Sequence, residues 1–427
     1  METSGVQVGP KQGNMPDVRL DRQLRIPGWD QQTLEEARIA VFGDDDLLAS
    51  LYVLSAAALG LNTIVLIAPR WDEALLDTAR RVNPRLRLSV VEGYYIHPVL
   101  HDIFWPCTAI VDLTHYALAN KLLLEKGFRS GVPVIRGFCH QQDGEEGLKV
   151  FAYRRGREWQ ELWELLSPSN LPGDHFDDGV LDIVAAGIAL EETKNAIMKH
   201  RVSEDVIVYG RPRVLAEGSD ARVCIVGAGA LGNFVGLGLA FAGVRNITVI
   251  DPDVVDVTNL NRQVFLADGI GRSKAEVLCE RLHALFGAQA DARVAYFRRD
   301  TQLAGYHAVF DCVDNFETRI VLSEKSRDEG RVLISGGTGP EAGQVVVYDP
   351  ARDDKTPAEV LGLYGVVDQR QIETYERESA ACAYRPEPSV IMVNQVIGGL
   401  MVDSWRRVAS GQTGENVFYD SKSDKRL

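Results

Sequence analysis

The chain has 427 residues, 45% hydrophobic and 25% charged, which fits a globular protein with room for two or three domains. Its formal net charge of −14 argues against nucleic acid as a partner. No apolar run reaches membrane-spanning length and no secretory h-region opens the sequence, so a cytoplasmic protein without membrane contact is expected.

Residues 1–16 are polar and glycine-rich and are predicted to be a disordered leader. "RLDRQLRIPGWDQQTLEE" then leads into a β-branched strand, a tight turn at "GDDDLL", an apolar helix and a second strand, "NTIVLI". The same order recurs from Ala221, an offset of 221 − 37 = 184 from Ala37. "AIVDLTHYALANKLLL" from Ala109 parallels "AVFDCVDNFETRIVLS" from Ala308, and each copy closes on a long apolar helix. Strands alternating with helices at this spacing predict α/β folding around mostly parallel sheets, written twice. The expected division is a first unit over 17–200 and a second over 201–427, with a crossover segment at 350–381.

The second copy carries the chemistry. Gly227, Gly229 and Gly232 follow a strand and open a helix, where glycine permits a tight turn and close backbone approach to phosphate. Asp251 ends the next strand and is placed to accept ribose hydroxyls. Asn259, Arg262 and Gln263 follow it by 8, 11 and 12 residues, and Lys274 opens the next helix. Two cations at one strand exit suit a triphosphate and its leaving pyrophosphate better than a dinucleotide. Asp314, past the strand Ala308–Phe310, is placed to hold Mg²⁺, while Asp311 is expected to cap or orient the turn. Gly336 to Gly339 read as a flexible turn, either lining a channel for an extended peptide tail or forming an ordinary hairpin.

Six cysteines occur without C-x-x-C pairs, so no disulfide framework and no zinc site is expected. Cys382, with Arg377 and Arg385 near it in sequence, is the cysteine in a crossover position; it is either an acceptor thiol or a small residue entering the last helix.

"GAGALG", Asp251, "NLNRQ", Lys274, "DCVDN" and "GGTGPEAGQ" together resemble the ThiF/MoeB/ubiquitin-activating-enzyme superfamily, over about Arg222 to Asp349. The resemblance implies tandem Rossmann-like ThiF-type adenylation folds that pair as an intramolecular pseudo-dimer. It implies ATP-dependent adenylation of the C-terminal carboxylate of a small ubiquitin-fold or sulfur-carrier protein, or of a peptide. By the same resemblance Asp251 contacts ribose, Asn259, Arg262, Gln263 and Lys274 contact phosphates, and Asp314 binds Mg²⁺. "DRQLR" is similar to the superfamily's opening segment, in which an arginine crosses a dimer interface to the partner's ATP; Arg22 is the matching residue and Arg25 the fallback. The first copy has lost the pocket. Asp45 and Leu48 stand for Gly229 and Gly232, Ala68 or Ile67 for Asp251, and His115 for Asp314. Carboxylates at a phosphate position repel it. An inactive first unit lending Arg22 to an active second one is therefore expected, in a monomeric pseudo-dimer or a higher homo-oligomer.

Three other functions were weighed. Adenylation of a small-molecule carboxylate uses the same residues. An NAD-dependent oxidoreductase leaves Arg262, Gln263 and Lys274 without a purpose, and a non-catalytic regulatory subunit leaves the whole cluster without one.

Overall fold

The computed structural model describes residues 17–45, 47–96, 100–154, 166, 176–214, 220–367, 371–372, 387–423 and 426–427. The leader 1–16 and Cys382, with Arg377 and Arg385, lie outside the described residues.

Among the described residues two seven-stranded sheets form. The first contains β1 (Arg38–Gly43), β2 (Thr63–Ala68), β3 (Arg87–Glu92), β4 (Ala109–Leu113), β5 (Val134–Gln142), β6 (Glu145–Tyr153) and β7 (Ile207–Pro212) in the order β3-β2-β1-β4-β5-β6-β7. The second contains β8 (Arg222–Val226), β9 (Asn246–Ile250), β10 (Gln289–Arg293), β11 (Ala308–Asp311), β12 (Val332–Thr338), β13 (Ala342–Tyr348) and β14 (Val417–Asp420) in the order β10-β9-β8-β11-β12-β13-β14. The two orders coincide position for position. In each, the five strands from one edge run parallel and the last two turn back antiparallel. The central strands are continuous apolar runs because helices cover both faces.

One strand belongs to the first sheet although it follows residue 200. β7 pairs with β6 and so completes the first sheet. Its alternating burial marks a strand with one face covered, and the change of sheet falls between Pro212 and Arg222.

Between the sheets lies a shared helical layer. The helix Gly179–Ile197 is buried without a break from Val180 to Thr193, and Ile391–Ala409 from Ile391 to Arg407. They pack on each other and on the helices Leu48–Leu59 and Ala230–Phe241, so one apolar core runs through both halves. Glycine lets the two long helices approach closely. A Cβ on Gly187 would lie 2.9 Å from Val396 Cγ2, and one on Gly399 2.6 Å from Val184 Cγ2.

A buried polar staple locks the same layer. Asp403 accepts from Arg211 Nε at 2.9 Å, Tyr209 Oη at 2.8 Å and Arg406 Nη2 at 2.7 Å. Arg406 also reaches Asp178 at 2.8 Å, and Arg211 pairs with Glu146. Burial pushes the Asp403 carboxyl up, but Arg406 and Arg211 together outweigh it and hold the group below the usual carboxylate range.

Removing one member of such a buried network strands the others. Asp403→Ala is expected to lower stability by about 3–5 kcal/mol in urea titrations at neutral pH. Because the folded pKa is depressed, the wild-type contribution is fully present above the unfolded carboxylate pKa, about 4. It is lost as pH falls through the folded value, so the gap between variant and wild type is expected to close in acid.

Candidate active site

The glycine turn sits where β8 ends. Gly227 has φ +99°, and a Cβ there would lie 2.6 Å from the Cys312 carbonyl oxygen. A Cβ on Gly232 would run into the Gly227 carbonyl oxygen. Gly229 differs, because a Cβ on it would meet nothing closer than Gln263 Nε2, 3.9 Å away. Gly229 caps the helix Ala230–Phe241 without a side-chain bond, so the first-turn amides face an open cradle. Asn233 holds that cradle in shape. Its Nδ2 donates to the Ala228 and Gly229 carbonyls at 3.1 and 2.9 Å, and its Oδ1 accepts from Phe265 N at 3.1 Å.

Asp251 stands at the β9 exit, as the sequence placed it. Its Oδ2 accepts from Ala228 N at 2.6 Å and its Oδ1 from Asp253 N at 2.8 Å. The carboxylate therefore braces the glycine turn and keeps lone pairs for a further donor. Burial raises its pKa, opposed by the nearby Lys274 ammonium and by these two amides. Lys274 opens the helix Lys274–Phe286 and donates to Asp253 Oδ2 at 2.8 Å.

The "NLNRQ" stretch folds back over the cradle. Asn259 Oδ1 accepts from Asp256 N at 3.0 Å, completing a capping box on the turn Val257–Asn259. Arg262 Nη1 donates to the Thr258 carbonyl at 2.9 Å and to Asn261 Oδ1 at 2.8 Å. Asn259 and Arg262 thus spend bonds inside the loop. Gln263 is 4% exposed, and its Oε1 has no hydrogen-bond partner among the described residues. A buried orphan acceptor beside the open face of Gly229 fits a site shaped for a ligand that brings donors.

Asn261 and Gln23, which the sequence reading did not single out, join the two halves here. Asn261 is fully buried; its Nδ2 donates to Gln23 Oε1 at 3.1 Å and to the Ser389 carbonyl at 3.3 Å. Gln23 Nε2 in turn donates to Gln31 Oε1 at 2.7 Å and the Leu59 carbonyl at 2.8 Å. The clasp seats "DRQLR" on the loop. Arg22 Nη1 donates to the Glu387 carbonyl at 3.3 Å, and its charge helps lower the pKa of Asp256, after the bonds that Asp256 accepts from Thr258. Arg25, the fallback, pairs instead with Asp21 on the surface.

The "DCVDN" turn packs against Gly227 through Cys312. Asp311 is fully buried and accepts from Ser335 Oγ at 2.6 Å, which matches its expected orienting role. Asp314 is exposed on the turn. Arg319, also missed, ties this turn to the next strand by donating to the Val313 and Gly336 carbonyls, each at 2.7 Å. Of the two readings of Gly336 to Gly339 the structure forms the hairpin: β12 and β13 pair antiparallel and Gly339 N donates to the Ala342 carbonyl at 2.8 Å, while Gly336 and Gly337 already lie within β12, where close packing on Met401 and Gln344 excludes a side chain.

At the equivalent place in the first sheet the cradle is filled by the chain itself. Asp45 Oδ1 accepts from the Leu47 and Leu48 amides at 3.0 and 2.8 Å. Burial raises the Asp45 carboxyl to about 6, with His115 pulling down and Asp44 pushing up.

A protein-family model described as the ThiF family matches residues 211–424, half of the chain. The chain belongs to the ThiF family. It is 33% identical over 159 residues to a tRNA threonylcarbamoyladenosine dehydratase of Escherichia coli, covering 35% of this chain and 59% of that protein. It is 34% identical over 157 residues to the SAMP-activating enzyme E1 of Haloferax volcanii, covering 36% and 57%. It is 34% identical over 177 residues to the probable adenylyltransferase/sulfurtransferase MoeZ of Mycobacterium tuberculosis, covering 38% and 42%. The chain thus spans between 42% and 59% of the length of these relatives. A crystal structure of Escherichia coli MccB with ATP superposes with a TM-score of 0.40 at 18% identity, covering 48% of this chain and 62% of that one. Among the described residues no helix is long and apolar enough to cross a membrane.

The Gln23–Asn261 clasp makes its own prediction. Asn261→Ala leaves buried partners unsatisfied and is expected to cost about 1–3 kcal/mol in urea titrations. It is also expected to speed tryptic cleavage at Arg22 and Arg25, because their segment loses its seat.

Proposed function

We propose that the second unit binds ATP and adenylates a carboxylate, that of the C-terminus of a small ubiquitin-fold or sulfur-carrier protein. The observation that carries this reading is the open, uncapped cradle at Gly229 with the donor Nε2 of the buried Gln263 nearest to it. The relatives named as a SAMP-activating E1 and as an adenylyltransferase/sulfurtransferase support it. In this reading a substrate carboxylate oxygen bonds to the α-phosphorus and pyrophosphate leaves. Gly227, Gly229 and Gly232 admit the phosphates, Asp251 holds the ribose, and Asn259, Arg262, Gln263 and Lys274 clamp the phosphate chain. Fixed cations in a water-poor cleft stabilise charge developing on the departing pyrophosphate. Asp314 would hold Mg²⁺, which supplies charge neutralisation on the phosphates.

The first unit takes no nucleotide, because Asp45 already occupies its helix amides. It supports catalysis by seating Arg22 beside the second unit's loop. The division of the chain into an inactive and an active unit belongs to the same proposal. Cys382, outside the described residues, is proposed only as a thiol that could receive the acyl group. A neighbouring reading, a small-molecule carboxylate as substrate, would use the same residues.

ATP–pyrophosphate exchange with candidate carboxylates tests the reaction. Exchange stimulated by a glycine-ended ubiquitin-fold protein is expected; stimulation by small carboxylates alone selects the neighbouring reading, and no stimulation refutes both. Calorimetry is expected to find a single ATP site per chain, lost in Gly229→Val and kept in Asp45→Asn. Two equivalent sites would contradict the division of labour.

Arg22→Ala is expected to slow exchange by on the order of a thousandfold, the scale of an arginine supplied from a neighbouring unit, with little change in melting temperature. An unchanged rate would remove Arg22 from the phosphate site.

A further inference from the structure

The first unit keeps a crevice at the point where its strand order reverses. β1 and β4 are neighbours, and the chain leaves them toward opposite edges of the sheet. In open α/β sheets ligands bind at this point, outside the carboxyl ends of the strands. Here the two loops deliver Asp44 and Asp45, after β1, and His115, after β4. These residues are 1%, 3% and 4% exposed. Each offers one ligand atom, and those atoms lie within 4.8 Å of one another.

Two features single this cluster out from an ordinary capped turn. Asp44 fixes the imidazole by accepting from the His115 backbone amide at 2.5 Å and by lying 2.9 Å from its Nδ1. Asp45 uses one oxygen on the helix amides, while its Oδ2 is buried with no hydrogen-bond partner among the described residues. The nearby cation Arg136 pairs with Asp112 at 3.4 Å, donates to the Thr114 carbonyl at 2.6 Å and stacks on Phe138, and its charge is also felt by Asp44, so Asp45 is the carboxylate it leaves uncompensated. Buried carboxylates are normally paired or bound to a cation.

We propose that Asp44, Asp45 and His115 form a divalent-cation site in the first unit. Two carboxylates and an imidazole suit a borderline ion such as Zn²⁺, Co²⁺ or Mn²⁺, with the remaining position open to water. The site stands where the second unit has its phosphate cradle, so the two copies hold charges of opposite sign at one place in the fold. It is separate from the Asp314 carboxylate and uses no cysteine.

The test takes the full-length chain, freed of metal and nucleotide, and titrates it with Co²⁺ while recording the visible ligand-field bands. One Co²⁺ per chain is expected, displaced by Zn²⁺. His115→Gln is expected to abolish the bands. Asp45→Asn retains Oδ1 for the helix amides and is expected to weaken binding by at least roughly tenfold, the loss that even an outer partner of a metal ligand costs. Asp314→Asn is expected to keep the bands, which separates this site from the nucleotide site. Zn²⁺ is expected to raise the melting temperature of the wild type and not of Asp45→Asn, a readout that decides the question even if His115→Gln does not fold. Wild-type protein without bands, or bands of equal affinity in both Asp45→Asn and His115→Gln, would show a hydrogen-bonded cluster without a metal and overturn the proposal.

Discussion

Everything in this molecule depends on burying two long helices against each other. Gly179–Ile197 and Ile391–Ala409 are rich in apolar residues and buried around nearly their whole circumference. A helix apolar on every side is stable only when surrounded. The duplication supplies the surroundings, since each copy covers the other's closing helix. Tight contacts at Gly187 and Gly399 then leave little freedom in the angle between the sheets. That fixed angle brings the opening segment of the first unit onto the "NLNRQ" loop of the second, where Gln23 and Asn261 meet.

The two crevices show one backbone solving one electrostatic problem in two ways. Helix amides at the end of the first strand must be satisfied. In the second unit glycine leaves them open, and Asp251 and Asn233 brace the turn from outside it. In the first unit Asp45 reaches those amides itself. A parallel exchange occurs one strand over: Asp311 is held by Ser335 across the β11–β12 register, whereas its counterpart Asp112 faces Arg136. Where the second unit has an open glycine cradle, the first has buried polar contacts rather than an apolar filling.

Much of the fold was legible because its signals are local. Strand–turn–helix order, the glycine triplet and Asp251 lie within one short stretch, and the second copy repeats the first almost element by element. What escaped reading depends on distant partners. Asn233, Arg319, Gln23 and Asn261 are polar residues in unremarkable settings, and only the folded chain shows what each one holds. Asn233 alone left a trace, a polar side chain in an otherwise apolar helix. The strand Ile207–Pro212 alternates in burial, but an edge strand's sheet is set by its neighbour rather than by its own sequence. The hairpin read at Gly336 to Gly339 forms, but its turn starts later, because the missing side chains of Gly336 and Gly337 make room within the strand for Met401 and Gln344. Asn259 and Arg262 bond within their own loop, and those local bonds could not be read from spacing.

The interleaved helical layer also has a history during synthesis. Roughly 200 residues separate the two long helices, and translation proceeds at about 5–20 residues per second. For about 10–40 seconds, therefore, the emerging first unit carries Val184, Ile188 and their neighbours with no second helix to cover them. The nascent chain is then an apolar surface awaiting its own later half. A neighbouring polysome's chain offers the same complementary helix, so exchange between copies competes with closure within one. The fusion of both units in one polypeptide raises the local concentration of the correct partner and biases that competition toward the intramolecular pair.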